Sequence, residues 1–377
     1  MRNATPELPA RDRRRQIART VLLNFAILGA GLVGIELVFG AWLDPESLNR
    51  LNLVKDVSLQ FDASHLYQTT SPTIHYSRDE YGLRGTFTHP SEIDVLTVGG
   101  STTDQRYISD GETWQDVVQT RLSEAGIPTV VVNAGVDGQS TFGHIKNFDW
   151  WFRLVPNLRP RRILFYVGLN DFYKEAGFKY DALEPSRSAD LVGFRDAIQR
   201  NSALWHLART LRGMYLAKFV HRIGHTSVDF QATSWTRKPL QIDYDFMRPR
   251  LEAYKERLHI LIAKTRDFGA DPVFVSQPAR RYRLTPGGLE GHARVSDYDG
   301  HPINGVDFYY MKKRLDDAAR TVCREENVLF FDLAAESIWE DEDFYDFSHM
   351  TPGGTRKVGI YLSEWLASLD EPRDDKR

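Results

Sequence analysis

Cysteine is almost missing from this chain. Cys323 is the only one in 377 residues, so no intrachain disulfide and no cysteine-based metal site can form. Its setting, LDDAARTVCREEN, is a helical pattern in which a small buried residue is expected rather than a reactive thiol. A strong charge of one sign is missing too. The 48 Lys and Arg against 51 Asp and Glu leave a net charge of −3, which gives no general basis for binding nucleic acid. The histidines never fall into a metal spacing such as H-E-x-x-H. No internal repeat or low-complexity tract occurs, and only the charged tail 370–377 reads as disordered. What remains is an ordinary globular composition, long enough for one large domain or two medium ones.

The N-terminus is the exception. Residues 1–19 carry Arg2, Arg11, Arg13, Arg14, Arg15 and Arg19 against Glu7 and Asp12. The run VLLNFAILGAGLVGIELVFGAWL then extends from Val21 to Leu43 with only Asn24 and Glu36 strongly polar. As a helix it spans roughly 34 Å, enough to cross a bilayer core. It is longer than the apolar region of a cleavable signal peptide and ends AWLDP rather than in small residues. The reading is a basic cytoplasmic segment, 1–19, and a transmembrane helix, 20–43, in the cytoplasmic membrane. The arginines hold the N-terminus inside, which places the rest of the chain periplasmic or otherwise extracytoplasmic. Glu36 within lipid calls for a helix partner or, more simply, for snorkelling toward the outer headgroups.

Residues 44–92 are polar and irregular and are expected to form a stem packed on the main domain. From Ile93 the pattern turns to alternating strand and helix. DVLTV (94–98), TVVV (129–132), RILFYV (162–167), PVFVS (272–276) and VLFFDL (328–333) suit buried parallel strands. TWQDVVQTRLSEAG and RPRLEAYKERLHILIAKTRDFG suit helices ending at Gly126 and Gly269, and MKKRLDDAARTVCREEN and TRKVGIYLSEWLASL supply two more. Five strands with crossover helices predict an α/β fold, a five-stranded parallel sheet covered on both faces, over 93–369. Ligands then bind beyond the carboxyl ends of the strands. Two inserts interrupt the pattern. The first, 172–247, contains NSALWHLARTLRGMYLAKFVHR (201–222), an amphipathic basic helix that packs on its own domain or serves as a lid or membrane-surface helix. The second, 280–305, has the glycine and proline content of a long surface loop.

The first strand ends in Gly99-Gly100-Ser101-Thr102-Thr103. It lacks the lysine of a phosphate-binding loop and the spaced glycines of a dinucleotide fingerprint. It follows a nucleophile elbow only as far as Ser101, with Thr103 in place of the final glycine. Alone it fits a nucleophile and a structural turn equally. Three other features fall at the same sheet edge: Asn133-Ala134-Gly135, Gly168-Leu169-Asn170-Asp171, and DFSHMTPGG with Asp346 and His349. A serine hydroxyl needs a base, and a histidine needs an orienting carboxylate on its other nitrogen. Ser101, His349 and Asp346 supply that set, with Asp332 as a rival carboxylate. The N–H groups of Ser101 and Gly135 and the amide of Asn170 supply oxyanion donors. Asn133 and Asp171 read as loop-fixing residues, and Thr102 and Thr103 as caps on the helix start.

These blocks resemble the SGNH (GDSL-type) hydrolase superfamily over roughly residues 93–368. The most specific elements are Gly168-Leu169-Asn170-Asp171 and Asp346-Phe347-Ser348-His349. The resemblance implies a flavodoxin-like sheet and metal-free, cofactor-free ester hydrolysis or acyl transfer. It also implies Ser101 as nucleophile, His349 as base and Asp346 as its orienter. The usual Gly-Asp-Ser of the first block is Gly-Gly-Ser here, with Gly100 in place of aspartate. The stem's RDEYGLRG also resembles a segment preceding the catalytic domain in some membrane-linked bacterial members. With the anchor, this predicts a membrane-anchored esterase or O-acyltransferase acting on an acylated, notably O-acetylated, cell-envelope glycan or lipid. The alternative is a catalytically silent domain serving as an assembly subunit beside an integral membrane protein.

Overall fold

The structure is a computed structural model that describes residues 10–40, 42, 48, 51, 53–69, 71, 73–173, 198, 201–205, 207, 208 and 225–370. The chain divides into two compact units, one formed by 1–51 with 185–223 and the other by 52–184 with 224–377. Of the basic segment 201–222, residues 206 and 209–222 lie outside the described residues, as does the tail 371–377.

The first unit contains α1, Ala10–Phe39. Its stretch Arg14–Phe39 is long and apolar enough to cross a membrane, and side chains such as Leu22, Phe25 and Val38 are exposed along it. Glu36 has hydrogen-bond partners within the same unit. Its carboxylate accepts hydrogen bonds from Trp42 Nε1 (2.8 Å), Ser202 Oγ (2.6 Å), Ala203 N (3.0 Å) and Leu204 N (3.2 Å). The partner expected of a carboxylate in this position is therefore the Ser202 hydroxyl with the backbone N–H groups of Ala203 and Leu204.

The second unit opens with an antiparallel hairpin, β1 (Val57–Asp62) and β2 (Thr73–Arg78). Then come β3 (Val95–Gly99), α2 (Ser101–Asp104), α3 (Trp114–Glu124), β4 (Val131–Asn133), α4 (Thr141–Trp150), β5 (Arg162–Val167) and α5 (Leu169–Tyr173). After the first insert, with its short β6 (Trp235–Thr236), follow α6 (Arg248–Asp267) and β7 (Asp271–Ser276). The second insert carries β8 (Tyr282–Thr285), β9 (Gly288–His292), β10 (Ser296–Tyr298) and β11 (His301–Ile303). The described chain closes with α7 (Gly305–Glu325), β12 (Leu329–Phe331), α8 (Leu333–Glu336) and α9 (Pro352–Asp370).

The five predicted strands form one parallel sheet in the order β12-β7-β5-β3-β4. Strand order reverses between β3 and β5, the position where such sheets place their ligand crevice. Side chains alternate across it: Val95, Leu164, Tyr166, Val273 and Val275 join one core with Trp114, Val118 and Leu122 of α3 and Val358, Leu362 and Leu366 of α9. Helices α4, α6 and α7 pack together as the other set. Local signals start and stop these helices, and two of the stops are the glycines expected from the sequence. Thr113 and Asp116 form a reciprocal capping box on α3, and Asn304 and Asp307 another on α7. Gly126 and Gly269 carry φ of 78° and 88°, the left-handed conformation that ends a helix. Cys323 is buried and its thiol is pushed up to about 12 by burial, so it is inert.

The insert 280–305 is not a surface loop. It folds into the hairpins β8–β9 and β10–β11, with β6 joined to β9. The turn between β10 and β11 is Asp299-Gly300 with φ of 52° and 82°. Positive φ at both central residues is the condition for the tight hairpin turn that Asp-Gly favours, a signal that reading the segment by glycine content alone passes over.

Candidate active site

Ser101 is the first residue of α2, directly after β3, and Asn170 lies in α5, directly after β5. The strand reversal therefore puts both at the crevice. His349 Nε2 lies 2.7 Å from Ser101 Oγ, and His349 Nδ1 lies 2.7 Å from Asp346 Oδ2. The other carboxylate oxygen of Asp346 accepts the Ser348 and His349 N–H groups, each at 2.7 Å. The loop is closed by Tyr345 N donating to His349 O at 3.1 Å and Thr351 N to Asp343 O at 3.0 Å. Burial pushes the Asp346 carboxyl up, but the hydrogen bond and charge of His349 and the two N–H groups outweigh it and hold it below its usual range. The rival carboxylate, Asp332, is engaged elsewhere, with Ser276 Oγ at 2.7 Å and with Arg320.

Asn170 Nδ2 donates to Gln139 O at 2.8 Å, leaving its second amide hydrogen for another acceptor. Among the described residues the Ser101 N–H has no acceptor. Gly135 differs from expectation. Its N–H donates to Asn133 Oδ1 at 2.8 Å, so it is engaged within its own loop. Asn133 also donates to Thr103 O at 2.5 Å, the loop-fixing role read from the sequence. Gly135 matters instead for space, because a Cβ there would lie 2.4 Å from Asp104 N. The threonines are not caps: the N-cap of α2 is Gly100, with no side-chain cap, and Thr102 Oγ1 accepts from Gln277 Nε2 at 2.6 Å.

The unusual Gly100 has a steric reason. A Cβ at Gly100 would lie 2.2 Å from Asn170 Nδ2 and 3.0 Å from Gln139 O. The Asn170 amide fills the volume that an aspartate side chain would need.

Beneath α2 sits a buried polar network supplied by the stem. Arg78 donates to Asp104 Oδ1 (2.6 Å), to the Tyr76 hydroxyl (2.6 Å) and to Gly135 O (2.5 Å). Arg84 donates to the carbonyls of Asp104 (2.8 Å), Gln105 (3.0 Å) and Ile108 (2.5 Å), at the carbonyl end of α2 and in the loop after it. Burial pushes the Asp104 carboxyl up, but the charges of Arg78, Arg106 and Arg84 hold it low. RDEYGLRG is thus part of the site's foundation.

Sequence reading missed one ring. His225 stacks on His349 with centroids 3.9 Å apart and planes 25° apart, and shares a 2.5 Å hydrogen bond with the Tyr345 hydroxyl. Burial and the neighbouring His349 push His225 down to about 4, so it is neutral near pH 7. His225, Asp346 and His349 bring three ligand atoms within 4.8 Å of one another. Stacked rings direct their lone pairs side by side rather than to a point, and both nitrogens of His349 already have partners. The donor set suits proton relay better than metal coordination. Beside Ser101 and His349 lies a cavity of about 20 Å³ bordered by Tyr107, Trp114, Tyr345 and Met350. That is room for little more than a water-sized group.

A parallel sheet in flavodoxin-like order, carrying serine, asparagine and a D-x-x-H loop at its reversal point, defines a three-layer SGNH-type hydrolase domain. The chain belongs to the GDSL-like lipase/acylhydrolase family, whose model matches residues 97–357. A search of the curated proteins finds no significant sequence match. Among solved structures the chain is similar to an acetyl xylan esterase (13% identity, TM-score 0.39, covering 73% of this chain and 99% of that one). It is similar to the M. Smegmatis aryl esterase (13%, 0.39, 73% and 98%) and to a carbohydrate acetylesterase from Sinorhizobium meliloti (11%, 0.38, 74% and 99%).

Proposed function

We propose that this chain is a serine esterase or O-acyltransferase held at the cytoplasmic membrane by α1, with its domain on the extracytoplasmic side. It acts on acylated, notably O-acetylated, glycans or lipids of the cell envelope. The observation that carries the chemistry is the continuous relay from Ser101 Oγ through His349 to Asp346, with both links at 2.7 Å. Asp346 keeps the proton on Nδ1, so Nε2 accepts the Ser101 proton as Oγ attacks the ester carbonyl. The Ser101 N–H and the free Asn170 amide hydrogen are the donors for the developing oxyanion. Collapse of the tetrahedral intermediate breaks the ester C–O bond, and His349 returns the proton to the leaving alcohol. Water or an acceptor hydroxyl then attacks acyl-Ser101, giving its proton to His349, and collapse of the second tetrahedral intermediate breaks the acyl–Oγ bond as His349 returns that proton to Ser101 Oγ. The small cavity beside the serine favours a short acyl group, and the apolar helix α1 is what favours an envelope substrate.

The test is hydrolysis of p-nitrophenyl acetate and labelling by a fluorophosphonate, with wild type and Ser101→Ala side by side. Both signals are expected in wild type and lost in the variant. Equal activity in the two proteins would remove the catalytic assignment. A folded wild type that neither labels nor hydrolyses would leave the silent assembly subunit as the better reading.

A further inference from the structure

Most arginines around the site are paired. Arg280 meets Asp341, Arg283 meets Glu290, Arg250 meets Asp299 and Arg257 meets Asp171. Arg281 is different. It lies just beyond β7 at the same carboxyl edge of the sheet, and among the described residues its guanidinium makes no hydrogen bond and no ion pair. Three rings hold it instead: its central carbon is 5.5 Å from the Tyr173 centroid, 5.3 Å from Phe308 and 5.4 Å from Phe347. Two of those rings are tied to the catalytic groups. Phe347 sits inside the Asp346–His349 loop, and Tyr173 ends the short helix that carries Asn170. The backbone is pinned as well, with His292 N donating to Arg281 O and Arg280 N to Phe347 O, both at 2.9 Å.

Ring faces stabilise a guanidinium by cation–π attraction but take none of its five N–H donors. A half-buried arginine without an anion is therefore fixed in place with its donors available, ready for a bidentate oxyanion. The surroundings add positive charge: burial, then the charges of Arg281 and Arg294, hold the intervening His292 below its ordinary range.

We propose that Arg281 is a specificity residue that binds an oxyanion, a carboxylate or a phosphate, on the molecule carrying the acyl ester. The inference rests on the acyl-transfer reading above and narrows its substrate class to acidic carriers. Uronate-containing glycans and phosphate-bearing polymers or lipids share this chemistry, and matched probes separate them. The test uses the full-length chain in detergent, as wild type, Arg281→Met and Arg281→Lys. O-acetylated galacturonan oligosaccharide is compared with O-acetylated xylo-oligosaccharide, and acetyl-glycerol phosphate with acetylglycerol.

Wild type is expected to favour the anionic member of at least one pair in kcat/KM, and that pair names the source. Arg281→Met lowers the anionic-to-neutral ratio about ten-fold, with Arg281→Lys between the two. A ratio unchanged in a folded Arg281→Met protein that still hydrolyses p-nitrophenyl acetate overturns the proposal and leaves the esterase reading standing. Calorimetric titration of Ser101→Ala with both anionic probes separates the two ideas. Arg281-dependent binding by a protein whose wild type cleaves no ester keeps the anion site and removes the esterase. No preference and no Arg281-dependent binding removes the anion site.

Discussion

The nucleophile turn and the histidine loop meet at one hydrogen bond, yet they are held by different physics. Ser101 rests on α2, and α2 rests on buried charges brought from the stem: the Arg78 and Asp104 side chains are only 2% and 3% exposed. The hydrogen bonds that orient the histidine are local. Asp346 bonds the N–H groups of Ser348 and His349 in its own turn, and the His349 and Asp346 side chains are each 18% exposed. Ser101 therefore depends on residues distant in sequence, whereas the orientation of the His349 ring depends first on a short local motif.

That difference can be broken from either side. The largest effect is expected in the local motif: Asp346→Asn lowers kcat by about 10³- to 10⁴-fold by favouring the wrong histidine tautomer. Its urea midpoint stays near that of wild type, since the loop's backbone bonds need only one acceptor oxygen. On the nucleophile side the order reverses. Arg78→Met leaves the Asp104 carboxylate buried without its partner and costs about 3–5 kcal/mol of stability, read by chemical denaturation. Arg78→Met with Asp104→Leu removes both charges and is expected to recover much of that loss. A full recovery of kcat as well would show that the ion pair does not position Ser101.

Gly100 tests the contact between the two strand ends. Gly100→Ala is expected to lower kcat about 10²-fold by displacing the Asn170 amide. Gly100→Asp, which restores the family's aspartate, should lower it at least as much. An active Gly100→Asp protein would show that Asn170 can retreat without loss.

The smallest effect is on pH. His225 titrates near 4 in the folded chain against 6.5 as an ordinary histidine, so the unfolded chain binds the extra proton first as pH falls. The stability its neutral form confers is present above about pH 6.5 and is lost as pH falls toward about 4. Thermal melts of wild type and His225→Asn should therefore differ most near neutral pH and converge, or cross, at the acid end of that window.

Much of this was legible in the sequence for definite reasons. Buried parallel strands must be apolar on both faces, so RILFYV and PVFVS stood out as continuous runs. Ser101, Asn170 and the Asp346–His349 pair were legible because each follows a strand or sits in a motif whose chemistry needs those residue types. The hydrogen bond of Gly135 was not, since its N–H has a competing acceptor two residues earlier in Asn133. The hairpins of 280–305 were missed because their turn signals are two short pairs, Pro286-Gly287 and Asp299-Gly300.

By itself the sequence determined the five strands of the parallel sheet, the glycine stops of two helices, an apolar N-terminal helix and the serine, histidine and aspartate that meet at the sheet edge, because each is written in local pattern or residue chemistry. Only the tertiary structure decided how those parts are held. It placed Arg78 and Arg84 under Ser101, His225 on His349, the Asn170 amide in the space opened by Gly100, and Arg281 among three rings with no anionic partner among the described residues. These contacts join segments far apart in the chain, and no periodicity or spacing records which buried charge finds which partner once the sheet is assembled.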